Sequence, residues 1–144
     1  MRTLRRSAVL LRPGPDPALT GAAVVDEAMR FLGLPYLWSG TSGFGFDCSG
    51  LTYAAYRQLG VTIPRDAAPQ ATRGAAVARR DLRPGDLVFL RTPAGVVHHV
   101  AMYVGLVGGV RTVIEAPRTG TAVRLTPLSQ FGPGYAGARR YLPL

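Results

Sequence analysis

The sequence predicts an α+β fold, with helices on one face of a mostly antiparallel sheet of about five to six strands. Three observations carry this. Helically spaced apolar residues are confined to the first half of the chain, up to Arg73. From Asp86 onward the apolar runs are β-branched or aromatic and are separated by Gly and Pro. The 144 residues, 47% hydrophobic and 17% charged, are globular in composition and numerous enough to bury a core without a disulfide or a metal.

Residues 1–18 read as an arm and linker, with Pro13, Pro15 and Pro17 excluding helix at its end. The apolar run Ala8–Leu11 is shorter than the roughly 7–15 residues of a signal-peptide core. No run approaches the roughly 18 apolar residues of a membrane span. A cytoplasmic protein and a piece of a longer exported chain both fit, so localisation stays open. Residues 19–144 read as the folded domain.

Thr20 is placed to cap a helix reaching Leu32, with Val25, Ala28, Met29 and Leu32 as its buried face. Gly33-Leu34-Pro35 stops it. Tyr36-Leu37-Trp38 and a glycine-rich loop lead to Asp47, which opens a second helix from Cys48 to about Leu59, closed by Gly60 in the left-handed position. Pro64-Arg65-Asp66 starts a short third helix through Arg73. The strand-like segments are Leu87–Leu90, Val96–Val104, Val110–Ala116, Ala122–Leu125 and Ala138–Leu142.

The net charge is +9, and every cation is Arg, since the chain has no Lys. Together with the absence of Asn this reads first as compositional bias. The functional reading is attraction to polyanions such as anionic wall polymers. The arginines are dispersed and no RNA-binding aromatic signature stands out, so nucleic-acid binding is not expected.

Cys48, the single cysteine, falls in the first turn of its expected helix, where the dipole and free amides favour a thiolate. The dipole contributes only ~0.3–1 kcal/mol, so a cationic partner is needed as well. The only histidines, His98 and His99, are adjacent and point to opposite faces of a strand. His99 shares its face with Ala101, whose small side chain would let the cysteine helix approach. Glu115, one of two glutamates, sits in the apolar strand Val113-Ile114-Glu115-Ala116 and needs a partner. A hairpin centred at Val107 places it directly opposite His99. Cys48, His99 and Glu115 then form a nucleophile, a base and an orienting acceptor. Asp47 is an N-cap and also an anion beside the nucleophile, suited to a substrate ammonium. One Cys and two opposed His do not make a metal site, and neither a metal nor a cofactor is expected.

The ordered blocks Gly33–Gly40, Phe46–Leu51, Leu82–Phe89, His98–Gly105 and Glu115–Gly120 resemble the NlpC family of bacterial cell-wall cysteine peptidases, over about residues 19–144. The stretch Phe31–Asp47 is most similar to its dipeptidyl-peptidase-like branch. The resemblance implies a papain-like fold and hydrolysis of peptidoglycan stem peptides at the γ-D-glutamyl–diamino acid bond. It implies Cys48 as nucleophile, His99 as base and Glu115 in the third position, with Tyr36, Asp47 and Ser49 around the amine of a terminal L-alanine. It makes residues 1–18 the remnant of an SH3-like domain. Ser39 and Ala101 stand where relatives usually carry Gly, and neither removes a reacting group. The alternatives are an amidase or acyltransferase on the same scaffold, and a non-catalytic wall-binding module.

Overall fold

The computed structural model describes residues 19–37, 40–42 and 45–142. The expected arm and linker, Trp38 and Ser39 lie outside them. Helix α1 is Gly21–Met29, and Thr20 caps it by accepting from the Ala23 amide at 3.1 Å. It ends sooner than expected. The bonds from Phe31 N to Ala28 O and Leu32 N to Met29 O tighten the chain to three-residue turns, so helical phase is lost. Leu32 is left exposed, and Val24, Glu27 and Ala28 form the buried face, with Val25 and Met29 half-buried.

A ribbon of two short strands, β1 (Thr41–Ser42) and β2 (Gly45–Phe46), leads into helix α2, Cys48–Gln58. Gly60 at φ 78° ends that helix region as its left-handed conformation requires. The third helix is one turn, α3 (Ala67–Gln70), shorter than expected.

Strands β3 (Ala75–Val77), β4 (Leu87–Arg91), β5 (Val97–Val107), β6 (Val110–Glu115), β7 (Arg124–Pro127) and β8 (Tyr135–Arg140) follow. They form one six-stranded sheet in the order β3-β8-β4-β5-β6-β7, with every pairing antiparallel. The ribbon and β3 carried no sequence signal: Ala75-Ala76-Val77 is short and mostly exposed, and its pairing with β8 makes it a strand. The expected strand at Ala122–Leu125 is divided. Ala122 and Val123 pair with the Leu34–Pro35 segment, and only from Arg124 does the chain join β6. The last strand starts earlier than expected, running through Gly137, whose φ of 110° accommodates a register shift against β4.

The sheet is covered on both faces. Leu87, Phe89, Val100, Met102 and Ile114 pack with Val24, Leu51, Ala54 and Tyr56 of α1 and α2. The alternate residues Val88, Ala101, Tyr103, Val113 and Ala138 pack with Leu128 and Phe131 of a 3-10 segment, Leu128–Gly134. Ala101 therefore faces away from the cysteine helix, which rests on the Val100 and Met102 face. Its small size therefore has no bearing on how closely that helix approaches.

Candidate active site

Three short segments converge on the start of α2. Tyr36 donates its amide to Thr121 O at 2.8 Å, and Leu37 donates to Phe46 O at 2.9 Å, fixing the residues before the helix. The Asp47 amide reaches Gly40 O at 3.1 Å. A Cβ on Gly50 would run into that same Gly40 carbonyl, so Gly50 is set by close approach of backbone to backbone. Asp47 caps the helix, accepting from the Gly50 amide at 2.6 Å. Cys48, half-buried, is thereby held in the first turn with an amide that has no intrahelical acceptor.

His99 comes from β5 and Glu115 from β6. The hairpin is not centred where the sequence placed it. Val107 pairs with Val110 around Gly108-Gly109, and a register shift follows between Tyr103 and Gly105, so that Met102 pairs with Ile114. Glu115 therefore stands one pair away from His99, as a diagonal neighbour. The contact forms all the same, since diagonal neighbours lie within reach of long side chains. His99 Nε2 donates to Glu115 Oε1 at 2.7 Å, and both residues are buried. Its other ring nitrogen is not engaged by Glu115, and Cys48 borders the same hollow as the imidazole.

The electrostatics follow from this packing. Burial opposes charge on His99, but hydrogen bonds to Cys48 and Glu115 and their negative charges outweigh it, and raise its pKa from 6.5 to about 9. Burial likewise pushes the Glu115 carboxyl up, yet donors from His99 and Thr126 and the charges of His99 and Arg124 bring it below its ordinary value. Thr126 Oγ1 donates to Glu115 Oε2 at 2.6 Å, and Arg124 Nε lies 3.5 Å from the same oxygen. Both come from β7 at alternate positions. The expected strand stopped at Leu125 and so passed over Thr126.

Arg65 also went unread. Its guanidinium spans both Asp47 oxygens, at 3.1 and 2.9 Å, and donates to Ser49 Oγ at 2.9 Å. The loop carrying it is clamped to α2 by Gln70, which is fully buried and donates to Pro64 O at 2.7 Å while accepting from Thr52 Oγ1 at 3.0 Å. Asp47 and Ser49 border the cleft, but both are engaged by Arg65. This pairing answers the question of what balances an anion beside Cys48. The arginine lies 18 residues from Asp47, and no local pattern joins them.

Around Cys48 the surface opens into two adjoining hollows of about 440 Å³ each. Tyr36, Cys48 and His98 border both. One continues over Asp47, Ser49, Arg65 and Asp66, and the other over His99, Glu115, Arg118, Arg124 and Phe131. Burial and the nearby Cys48 and Asp47 charges raise the Tyr36 pKa. His98 sits at the bulge where Leu90 pairs with His99 and Arg91 with Val97, and it is exposed. Among the described residues no group of three or more His, Cys, Asp or Glu is placed to hold a metal.

The NlpC/P60 family profile matches residues 33–139. The chain belongs to the NlpC/P60 family. It is 49% identical over 133 residues to a γ-D-glutamyl-L-lysine dipeptidyl-peptidase of Bacillus cereus, covering 90% of this chain and 38% of that protein. The crystal structure of an NlpC/P60 family protein from Bacillus cereus superimposes with a TM-score of 0.81 at 46% identity, covering 91% of this chain and 42% of that one. The NlpC/P60 domain of the peptidoglycan hydrolase SagA superimposes with a TM-score of 0.73 at 34% identity, covering 85% of this chain and 99% of that one. This NlpC/P60 chain thus spans well under half the length of the Bacillus cereus relative. Its α+β architecture is the papain-like one expected.

Proposed function

We propose that this domain is a cysteine peptidase that hydrolyses peptidoglycan stem peptides at the γ-D-glutamyl–diamino acid bond. The observation that carries the reading is Cys48 at a helix start, bordering one hollow with a buried imidazole that Glu115 holds by a 2.7 Å hydrogen bond. The Cys48 thiolate attacks the γ-carbonyl carbon and forms a tetrahedral intermediate. The Cys48 amide is one donor for the oxyanion, and such a donor is typically worth about 2.7–4 kcal/mol. His99 gives its proton to the leaving amine as the C–N bond breaks, leaving a thioester. Water, deprotonated by His99, then attacks the thioester and regenerates the thiolate.

The hollow over Asp47, Ser49 and Asp66 takes the acyl part. Tyr36, Asp47 and Ser49 shape it around the amine of a terminal L-alanine. Since Arg65 already engages Asp47 and Ser49, Asp66 adds an anion for that ammonium. The bond assignment draws on the activity in the name of the Bacillus cereus relative. The +9 charge further suits a wall rich in anionic polymer.

Mass spectrometry of an L-Ala-γ-D-Glu-diamino acid tripeptide after incubation tests this. Release of L-Ala-γ-D-Glu is expected. Transfer of the dipeptide to an added amine in place of water would mark an acyltransferase. Binding without cleavage would mark a wall-binding module.

A further inference from the structure

The two hollows differ in charge, and the chemistry decides which holds which part of the substrate. The imidazole that protonates the leaving amine must lie within hydrogen-bond reach of it. His99 borders one hollow only, so that hollow receives the leaving group. It is lined by two cations, Arg118 and Arg124. Its one carboxylate, Glu115, is buried and committed to His99, Thr126 and Arg124. Arg118 is exposed on a turn closed by Thr121, and among the described residues no carboxylate partners its guanidinium. Leu90 and Phe131 supply apolar wall to the same hollow.

A lysine leaving group would bring a side-chain ammonium towards these two guanidinium groups. A diamino acid with a carboxylate at the far end of its side chain would instead lay its methylenes on Leu90 and Phe131 and offer that carboxylate to an arginine. We propose that Arg118 selects a leaving diamino acid bearing a distal carboxylate, so that stem peptides of the diaminopimelate type are preferred over those of the lysine type. The proposal rests on the γ-D-glutamyl peptidase reading, which supplies the leaving amine.

The test compares L-Ala-γ-D-Glu-diaminopimelate with L-Ala-γ-D-Glu-L-lysine in two measurements. Hydrolysis is followed with wild type, Arg118→Ala and Arg118→Glu. Binding of the same peptides is followed by calorimetry in Cys48→Ala, alone and combined with each Arg118 substitution. An exposed but bidentate arginine–carboxylate contact is expected to favour the diaminopimelate peptide about fivefold in kcat/KM. Arg118→Ala should remove that preference, slowing hydrolysis of the diaminopimelate peptide without slowing that of the lysine peptide, and Arg118→Glu should reverse it. Equal or faster hydrolysis of the lysine peptide by wild type, or a preference that survives Arg118→Ala, would overturn the proposal and leave the peptidase reading intact. Tighter binding of the diaminopimelate peptide that depends on Arg118, without hydrolysis of either, would support the pocket assignment and count against the peptidase. Neither binding nor hydrolysis overturns both.

Discussion

His99 and Glu115 meet diagonally across β5 and β6, with Nε2 and Oε1 2.7 Å apart. The carboxylate accepts a hydrogen bond from the imidazole N–H, which fixes the ring's orientation and favours its charged form. Glu115→Gln keeps the shape and removes the charge. The His99 pKa should fall below its value of about 9, as read from the ring-proton shifts. Hydrolysis should fall on the order of 10²-fold, the range in which a mispositioned base loses its contribution. An unchanged titration would show that Glu115 does not act on His99.

The raised His99 pKa also sets a pH dependence. The folded state holds its proton from about 6.5 up to about 9, while the unfolded state releases it. The stabilisation from this site is therefore complete below about 6.5 and is lost as pH rises through about 9. Denaturant midpoints should decline across that window, and kcat/KM should show an alkaline limb near its upper end. Cys48→Ala removes one of the two groups that raise the His99 pKa and should flatten the decline. The same slope in both proteins would place its origin elsewhere.

Much of this site follows from local signals. Thr20, Asp47 and Gly60 mark helix ends by rules that act within a few residues, and the observed caps agree with them. The register of β5 was harder to read. Its bulges at His98 and near Val104 depend on how β4 and β6 pair with it, and a two-residue alternation drawn along one strand cannot register them. Arg65 on Asp47 and Thr126 on Glu115 have the same origin, since each joins segments that only the folded chain brings together. Ala101 shows how a sound local rule can fail: it is small, but it lies on the face turned from the cysteine helix.

Gly50 bears on the site through space rather than conformation. Gly50→Ala pushes a methyl group against Gly40 O and Asp47 Oδ1. Overpacking of this kind costs about 1–3 kcal/mol. The start of α2 must move to relieve it, carrying Cys48 along, so hydrolysis should fall by more than the loss of folded protein explains. Circular dichroism on the same sample separates the two effects.

Far from the cleft, Arg140 clasps Asp86 with Nε and Nη2, both at 2.8 Å, joining β8 to the turn before β4. Asp86 is 1% exposed. Arg140→Met leaves that carboxylate buried and unpaired apart from the Arg83 amide. Urea unfolding should show a loss of about 3–5 kcal/mol. Activity per folded molecule should be unchanged, because neither residue borders the cleft.

The measurement that bears most directly on Cys48 as nucleophile is turnover of the L-Ala-γ-D-Glu-diaminopimelate peptide by wild type, Cys48→Ala and His99→Ala, each first shown to be folded. With Cys48 as nucleophile, wild type should release L-Ala-γ-D-Glu and Cys48→Ala none, with His99→Ala reduced by at least about 10²-fold. Sustained release of the dipeptide by folded Cys48→Ala would contradict it.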